Sequence, residues 1–389
     1  MRYVSRLLTP QLQKAARGFA AVVLTGPRRA GKTTLLRRAF PRATYRLLED
    51  PEVVARVRSD PAAFLDELPR PALLDEIQNA PELLAHVRAR IDAAPRQTGR
   101  WLLTGSQEAP LMRGVTESMA GRAALLELWP LSTQETPRVS LIRGGFPEVL
   151  ARPRSAGLWY RSYIQTYLER DVRSISSIRD LATFRRFLAL TASRCGQILN
   201  KSDLAAPLGV SVPTITDWLG ILEVTGQIIL VPPFFENLGK RLVKAPKLYF
   251  VDSGLACHLL GLESEAQLRR SPFWGPVFEG HVASEIMKQQ QGAGRRREVY
   301  FFRDQRGLEV DFLVPMGGNR LAMIEVKASA SLRPEDAKAV AALMAATRAH
   351  EAHGFVVHLP RASGPPLRAL RPGVRALPLD ELLAVLGSR

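Results

Sequence analysis

Cysteine is nearly absent from this chain of 389 residues: Cys195 and Cys257 stand far apart, with no CxxC pair and no Cys/His cluster. A disulfide framework and a cysteine zinc site are thereby excluded, and a reducing, cytoplasmic setting is the expectation. Long hydrophobic runs are lacking as well. No stretch approaches the ~18 apolar residues of a membrane span. The apolar stretch at residues 19–24 runs straight into a Gly-rich turn with charges beyond it, so neither a signal peptide nor a membrane partner is expected. Acidic residues are scarce relative to basic ones, 37 against 54, which leaves a formal charge of +17. That surplus suits a polyanion partner, although an Arg-rich composition accounts for it as readily. Internal repeats and low-complexity tracts are absent too.

What remains is a globular composition, 46% hydrophobic and 23% charged, in a chain longer than one hydrophobic core usually holds. Several structural units are expected. Residues 21–25 (AVVLT), 72–75 (ALLD) and 101–104 (WLLT) are short apolar runs of the kind buried on both faces of a parallel sheet, and helical patterns such as residues 82–91 separate them. Alternation of this kind predicts a doubly wound α/β domain. From about Trp159 helical periodicity takes over and reads as a lid or connector. Residues 198–226 then give helix, turn and helix, followed by the apolar runs QIILV and KLYFV, the order of a winged helix-turn-helix. Beyond a boundary near residues 260–273, a helix at 278–290, strands in EVYFFRD, EVDFLV and LAMIEVKAS, a helix near 334–347 and a strand at 354–359 make a small α/β unit.

The segment Gly26-Pro27-Arg28-Arg29-Ala30-Gly31-Lys32-Thr33 matches the phosphate-loop pattern GxxxxGK[ST] between a strand and a helix. Glycines let backbone N–H groups curl around phosphate oxygens. Lys32 is expected to reach the β and γ phosphates, and Thr33 to ligate Mg²⁺, with Thr34 beside them. Asp75 at the end of the second run is the expected Mg²⁺ partner. Glu76 follows it as the residue that polarises the attacking water. Ser106, after the third run, is the candidate γ-phosphate sensor. Arg113 and Arg122 are candidate arginine fingers from a neighbouring subunit. The alternative for each is an ordinary polar turn or solvated arginine.

A second set of carboxylates lies near the carboxyl terminus. Glu325 and Lys327, two apart on a strand, share a face and are expected to project toward Asp311, with Glu279 contributed by the preceding helix. Two carboxylates can hold Mg²⁺ and a lysine can orient water, which is chemistry suited to phosphodiester hydrolysis. The bland alternative is a charged hairpin face. In the helix-turn-helix, Asn200 or Ser202 and Ser211 are expected caps, with Pro213 in the first turn of the second helix and Ile215, Leu219 and Leu222 facing the core. Its exposed face carries Thr214, Thr216 and Asp217 without a cation. Lys240, Arg241, Lys244 and Lys247, between the wing strands, are therefore the expected phosphate contacts, without strong sequence preference.

Taken together, GPRRAGKTT, LLDEIQ, LLTGSQ, AGR with LWPLS, RGGFPEV, YIQTYLERDV, EVDFLV and IEVKAS resemble, over nearly the whole chain, a widespread prokaryotic family. Its members join an AAA+ ATPase domain to a carboxyl-terminal domain of unknown function, DUF4143. The resemblance implies an α/β P-loop AAA+ doubly wound parallel sheet with helical lid, a winged helix, and a domain similar to PD-(D/E)XK nucleases. The corresponding spans are 1–135, 136–190, 191–255 and 256–389. It implies Walker A positions at Gly26, Gly31, Lys32 and Thr33, Walker B positions at Asp75 and Glu76, and nuclease-like positions at Glu279, Asp311, Glu325 and Lys327. Arg122 becomes the better finger candidate and Arg143 a nucleotide-sensing arginine of the lid. The expected activity is Mg²⁺-dependent ATP hydrolysis acting on DNA, as a homo-oligomeric ring, a hexamer, that translocates on or remodels branched DNA such as a Holliday junction. The alternatives are a nucleotide-gated switch for a protein partner and a metal-dependent DNA endonuclease.

Overall fold

The computed structural model describes residues 3–105, 119–168, 181–234, 245–347, 349–360 and 369–387; Ser106, Arg113, Lys240, Arg241 and Lys244 lie outside the described residues. The amino-terminal third is built on a five-stranded parallel sheet of β1 (Ala21–Thr25), β2 (Thr44–Leu47), β3 (Ala72–Asp75), β4 (Trp101–Thr104) and β5 (Ala123–Glu127), in the order β2-β3-β4-β1-β5. The three interior strands are the apolar runs of the sequence, buried at every residue because helices cover both faces. β2 and β5 are the edges. Their residues are only partly buried, and Thr44 and Arg46 leave β2 no apolar run.

After β5 the chain builds a helical unit from Ala156–Tyr163, Leu181–Ser193, Lys201–Ala205 and Val212–Val224, closed by the antiparallel pair β6 (Ile228–Val231) and β7 (Lys247–Phe250). Asn200 caps one helix through the Ser202 N–H at 3.1 Å and Ser211 the next through the Thr214 N–H at 3.2 Å, while Ile215, Leu219 and Leu222 are buried. The hairpin follows strand periodicity. Ile228, Leu248 and Phe250 join the core of the helical unit, and Ile229, Val231, Tyr249 and Val251 join the core of the carboxyl-terminal domain. The strands of the hairpin are thus buried on both faces. Its chain continues onto the next sheet, where the Phe234 N–H donates to the Phe301 carbonyl at 2.8 Å.

The carboxyl-terminal domain is a six-stranded mixed sheet of β8 (Tyr300–Arg303), β9 (Glu309–Gly317), β10 (Arg320–Lys327), β11 (Glu351–His358), β12 (Ala369–Arg371) and β13 (Val374–Pro378), in the order β12-β13-β11-β10-β9-β8. Helices Trp274–Gly292 and Leu379–Gly387 cover one face and Lys338–Ala346 the other. No single helix among the described residues is long and apolar enough to cross a membrane.

Candidate nucleotide-binding site

The chain leaves β1 at Thr25 and must reverse at once to enter the helix Lys32–Ala39. Gly26, at φ +130°, permits this because a Cβ there would lie 2.2 Å from the Leu128 carbonyl oxygen. Gly31, at φ +99°, sets the helix start. The loop wraps the Lys32 side chain, which is 5% exposed and donates to the Gly26 and Pro27 carbonyls, both at 3.0 Å.

Strand order brings the second half of the site to the loop. Asp75, buried at the end of β3, accepts from Thr33 Oγ1 at 2.9 Å, from the Tyr45 hydroxyl at 2.8 Å and from Thr104 Oγ1. The Glu76 N–H donates to Thr104 Oγ1 at 3.1 Å. Glu76 itself stands at φ +59°, a region that costs a side-chain-bearing residue about 1–3 kcal/mol. That turn carries its carboxylate to the cleft beside Gln78, whose amide donates to it. Burial, and then the Asp75 carboxylate, push the Tyr45 phenol well above its ordinary range, so it remains a donor. Arg29, Lys32, Thr33, Thr34, Asp75 and Glu76 share the wall of a cleft of about 450 Å³, within the usual size of a small-molecule site. An adjoining cavity of about 260 Å³ is lined by Tyr3, Val4, Leu131, Pro147 and Ala151. A hydroxyl facing a buried carboxylate, an ammonium inside a glycine loop and a roomy cleft fit a magnesium nucleotide.

Other expected residues fall elsewhere. Arg122 precedes β5, at the sheet edge opposite the loop, and pairs with Asp92 at 2.5 Å, so it takes no part in its own chain's cleft. Arg143 has an exposed side chain away from the cleft, and its carbonyl accepts from the Tyr160 hydroxyl at 2.8 Å. From the same RGGFPEV segment it is Pro147 and Glu148 that line the cleft, Glu148 meeting Arg29 at 3.3 Å.

The carboxyl-terminal carboxylates do assemble, around an unexpected partner. Lys247, on β7, is 3% exposed and lies 2.6 Å from Glu309, 3.1 Å from Glu279 and 3.4 Å from Asp311. It is a buried ion-pair centre, which corrects its assignment as an exposed phosphate contact. Glu325 pairs with Lys327 at 2.8 Å, and the Val326 N–H donates to Asp311 at 2.9 Å. An ammonium thus stands between Glu279 and Asp311, where a divalent cation is expected, and Glu325 faces Lys327. Burial, followed by the Asp311 charge, pushes the Glu279 carboxyl up to about 8 and the Glu325 carboxyl up to about 7. A carboxyl raised above its unfolded value of 4.5 stabilises the fold fully below that value, and the contribution is lost as pH rises toward 8. Glu279→Gln, which keeps the neutral form's shape, is expected to melt increasingly above wild type as pH rises from about 5 to about 9. A melting difference flat across that range would contradict this.

An AAA-domain family matches residues 18–136, a domain of unknown function, DUF8612, matches 134–266, and DUF4143 matches 274–378. Two uncharacterized proteins, Rv2008c of Mycobacterium tuberculosis and Mb2031c of Mycobacterium bovis, are each 33% identical over 317 residues, which is 79% of this chain and 70% of theirs. The chain belongs to the family of AAA ATPases that carry a carboxyl-terminal DUF4143 domain. ATP and Mg²⁺ are the cofactors of AAA ATPases of this kind. Among solved structures, a Walker-type ATPase of Pyrococcus abyssi is 17% identical, with a TM-score of 0.44 over 64% of this chain and 94% of its own. AMPPCP-bound DnaA from Aquifex aeolicus is 14% identical, with a TM-score of 0.27 over 56% and 86%.

The AAA and DUF4143 domains are tied together by residues that no motif marks. Arg6 is buried and donates to the phosphate loop at the Ala30 carbonyl, 2.9 Å, to the Trp129 carbonyl, 2.6 Å, and to Glu135, 3.0 Å. A few residues on, Thr133 donates its N–H to Glu285 at 2.7 Å, and Lys288 donates to the Leu131 carbonyl at 3.2 Å. Glu285 and Lys288 belong to the long DUF4143 helix, and both are buried. Tyr45, Thr104 and Arg6 carry no sequence signal, because their roles arise only from strand neighbours and from chain crossings.

Proposed function

We propose that this chain hydrolyses ATP with Mg²⁺ and uses nucleotide state to shift its helical unit and DUF4143 domain on DNA. The observation that carries the reading is Thr33 Oγ1 at 2.9 Å from Asp75, beside the buried Lys32 ammonium. Lys32 releases two loop carbonyls and takes phosphate oxygens in their place. Thr33 and Asp75 hold the metal side of the site, and Glu76 orients and deprotonates water. When bound, Mg²⁺ neutralises charge that develops on the phosphates. The apolar cavity of Val4, Leu131, Pro147 and Ala151 takes the base. Ser106 is the proposed γ-phosphate sensor, and Arg122 is proposed to reach a neighbouring subunit in a ring, a hexamer.

Tyr45, on the wall of the same cleft, positions Asp75 through its hydroxyl. Tyr45→Phe is expected to weaken apparent Mg²⁺ affinity about fivefold, the worth of one hydrogen bond near 1 kcal/mol, with turnover at saturating Mg²⁺ close to wild type. A Mg²⁺ titration of phosphate release measures it, and a collapse of turnover at all Mg²⁺ concentrations would refute the positioning role.

DNA is the proposed polyanion because of the +17 charge and the winged-helix order of the helical unit and hairpin. ATP turnover measured with single-stranded, duplex, forked and four-way-junction DNA tests this. Stimulation that vanishes in Lys32→Ala supports it, and a rate indifferent to every DNA counts against it. A second reading, a nucleotide-gated switch for a protein partner, is favoured by one finding: the exposed positions of helix Val212–Val224 include Val212, Thr216 and Asp217 but no Lys or Arg. Retention of ATP with negligible phosphate release would select it.

A further inference from the structure

Four carboxylates, Glu279, Glu309, Asp311 and Glu325, converge at one end of the DUF4143 sheet, and among three of them stands Lys247 Nζ. The lysine comes from outside that domain's sheet: it pairs with Val231 in the hairpin and bridges Ile198 of the helical unit. We propose that Lys247 is a built-in counter-ion occupying the place a divalent cation would take, so that the cluster grips this chain's own hairpin and cleaves no phosphodiester.

Geometry supports the exchange. A hard cation lies about 2.0–2.6 Å from carboxylate oxygens, and one bound between Glu279 and Asp311 would overlap an ammonium already 3.1 Å and 3.4 Å from them. The remaining oxygens are largely engaged. Asp311 Oδ2 accepts from the Val326 N–H, Glu309 Oε2 pairs with Arg303 at 3.2 Å and Glu325 Oε1 faces Lys327, while Glu279 Oε1, the oxygen beside Lys247, also accepts from the Tyr249 hydroxyl. Only Glu325 Oε2 is buried without a partner in this cluster, and one oxygen makes no cation site. Among the described residues no group of three or more His, Cys, Asp or Glu is placed to hold a metal ion. Nor can Lys247 swing away freely, since its stem is enclosed and its ammonium lies 5.7 Å from the centre of the Phe301 ring. The hairpin's two-faced burial and this ion pair therefore make one joint: apolar contacts seat the strand, and the ammonium fixes its register.

Nucleotide takes no part in this ion pair, so the test is made without it. Full-length, nucleotide-free protein is titrated with MnCl₂, free Mn²⁺ being followed by its paramagnetic resonance signal. Wild type is compared with Asp311→Asn, Lys247→Met and the double variant. Wild type and Asp311→Asn are expected to bind the same number of ions. Lys247→Met, which keeps the apolar stem and removes the charge, is expected to bind one more, and the double variant to lose it. A wild-type ion lost in Asp311→Asn, or no added ion in folded Lys247→Met, overturns the proposal. Should Lys247→Met fail to fold, labelled DNA incubated with wild type and MnCl₂ decides: intact DNA supports the proposal, and cleavage that disappears in Glu325→Gln overturns it.

Discussion

Lys32→Ala is expected to lower ATP turnover by at least about 10²-fold, the loss typical when one electrostatic stabiliser of a transition state is removed. The ammonium is positioned in advance: it is buried, points into the loop, and is held by the Gly26 and Pro27 carbonyls at 3.0 Å. Exchange of those two carbonyls for phosphate oxygens needs only a small movement, so little reorganisation opposes binding. The fold should survive, since Leu35 and Leu36 of the same helix keep their places in the core. Phosphate release and a melting curve, taken together, check both halves. A variant that melts like wild type and turns over at a comparable rate would show that the loop is not the catalytic site.

Arg6→Ala should be the most destabilising single change among those considered, by about 3–5 kcal/mol, because it leaves Glu135 buried without its cation. The two side chains are 6% and 5% exposed, so solvent cannot take over the charge. The Ala30 and Trp129 carbonyls lose a donor in the same step. Since Arg6 ties the phosphate loop to the segment that touches Glu285 and Lys288, nucleotide affinity should fall along with stability. Chemical denaturation and ATP binding measured on the same samples test this. Arg6→Ala/Glu135→Ala should recover part of the stability but not the nucleotide affinity. A single variant as stable as wild type would mean that the ion pair is replaceable, and the proposed tie between domains would fail with it.

The parts that could be read in the sequence were those set by local pattern. β1, β3 and β4 occupy the apolar runs to the residue, because strands buried on both faces admit little else. β2 and β5, as sheet edges, are only partly buried, and Thr44 and Arg46 leave β2 no apolar run. The phosphate loop and the Asp75 strand were legible because their spacing is chemistry in linear form. Lys247 was not. It follows residues rich in cations, and that context suggested a solvated phosphate contact. Register across the hairpin instead turns its side chain into the carboxylates of the next domain. Arg143 and Glu148 show the same limit: they lie on one short motif, yet backbone direction leaves Arg143 outside the cleft and brings Glu148 to its wall. Gly145 in that motif is fixed by packing, since a Cβ there would lie 2.0 Å from the Leu131 carbonyl oxygen.

Equilibrium capture of labelled ATP by the purified full-length chain, with and without Mg²⁺, tests the central claim most directly. Retention that depends on Mg²⁺, is weakened by Asp75→Asn and is lost in Lys32→Ala is the predicted result. A folded wild-type protein that retains no ATP when Mg²⁺ is present would contradict it.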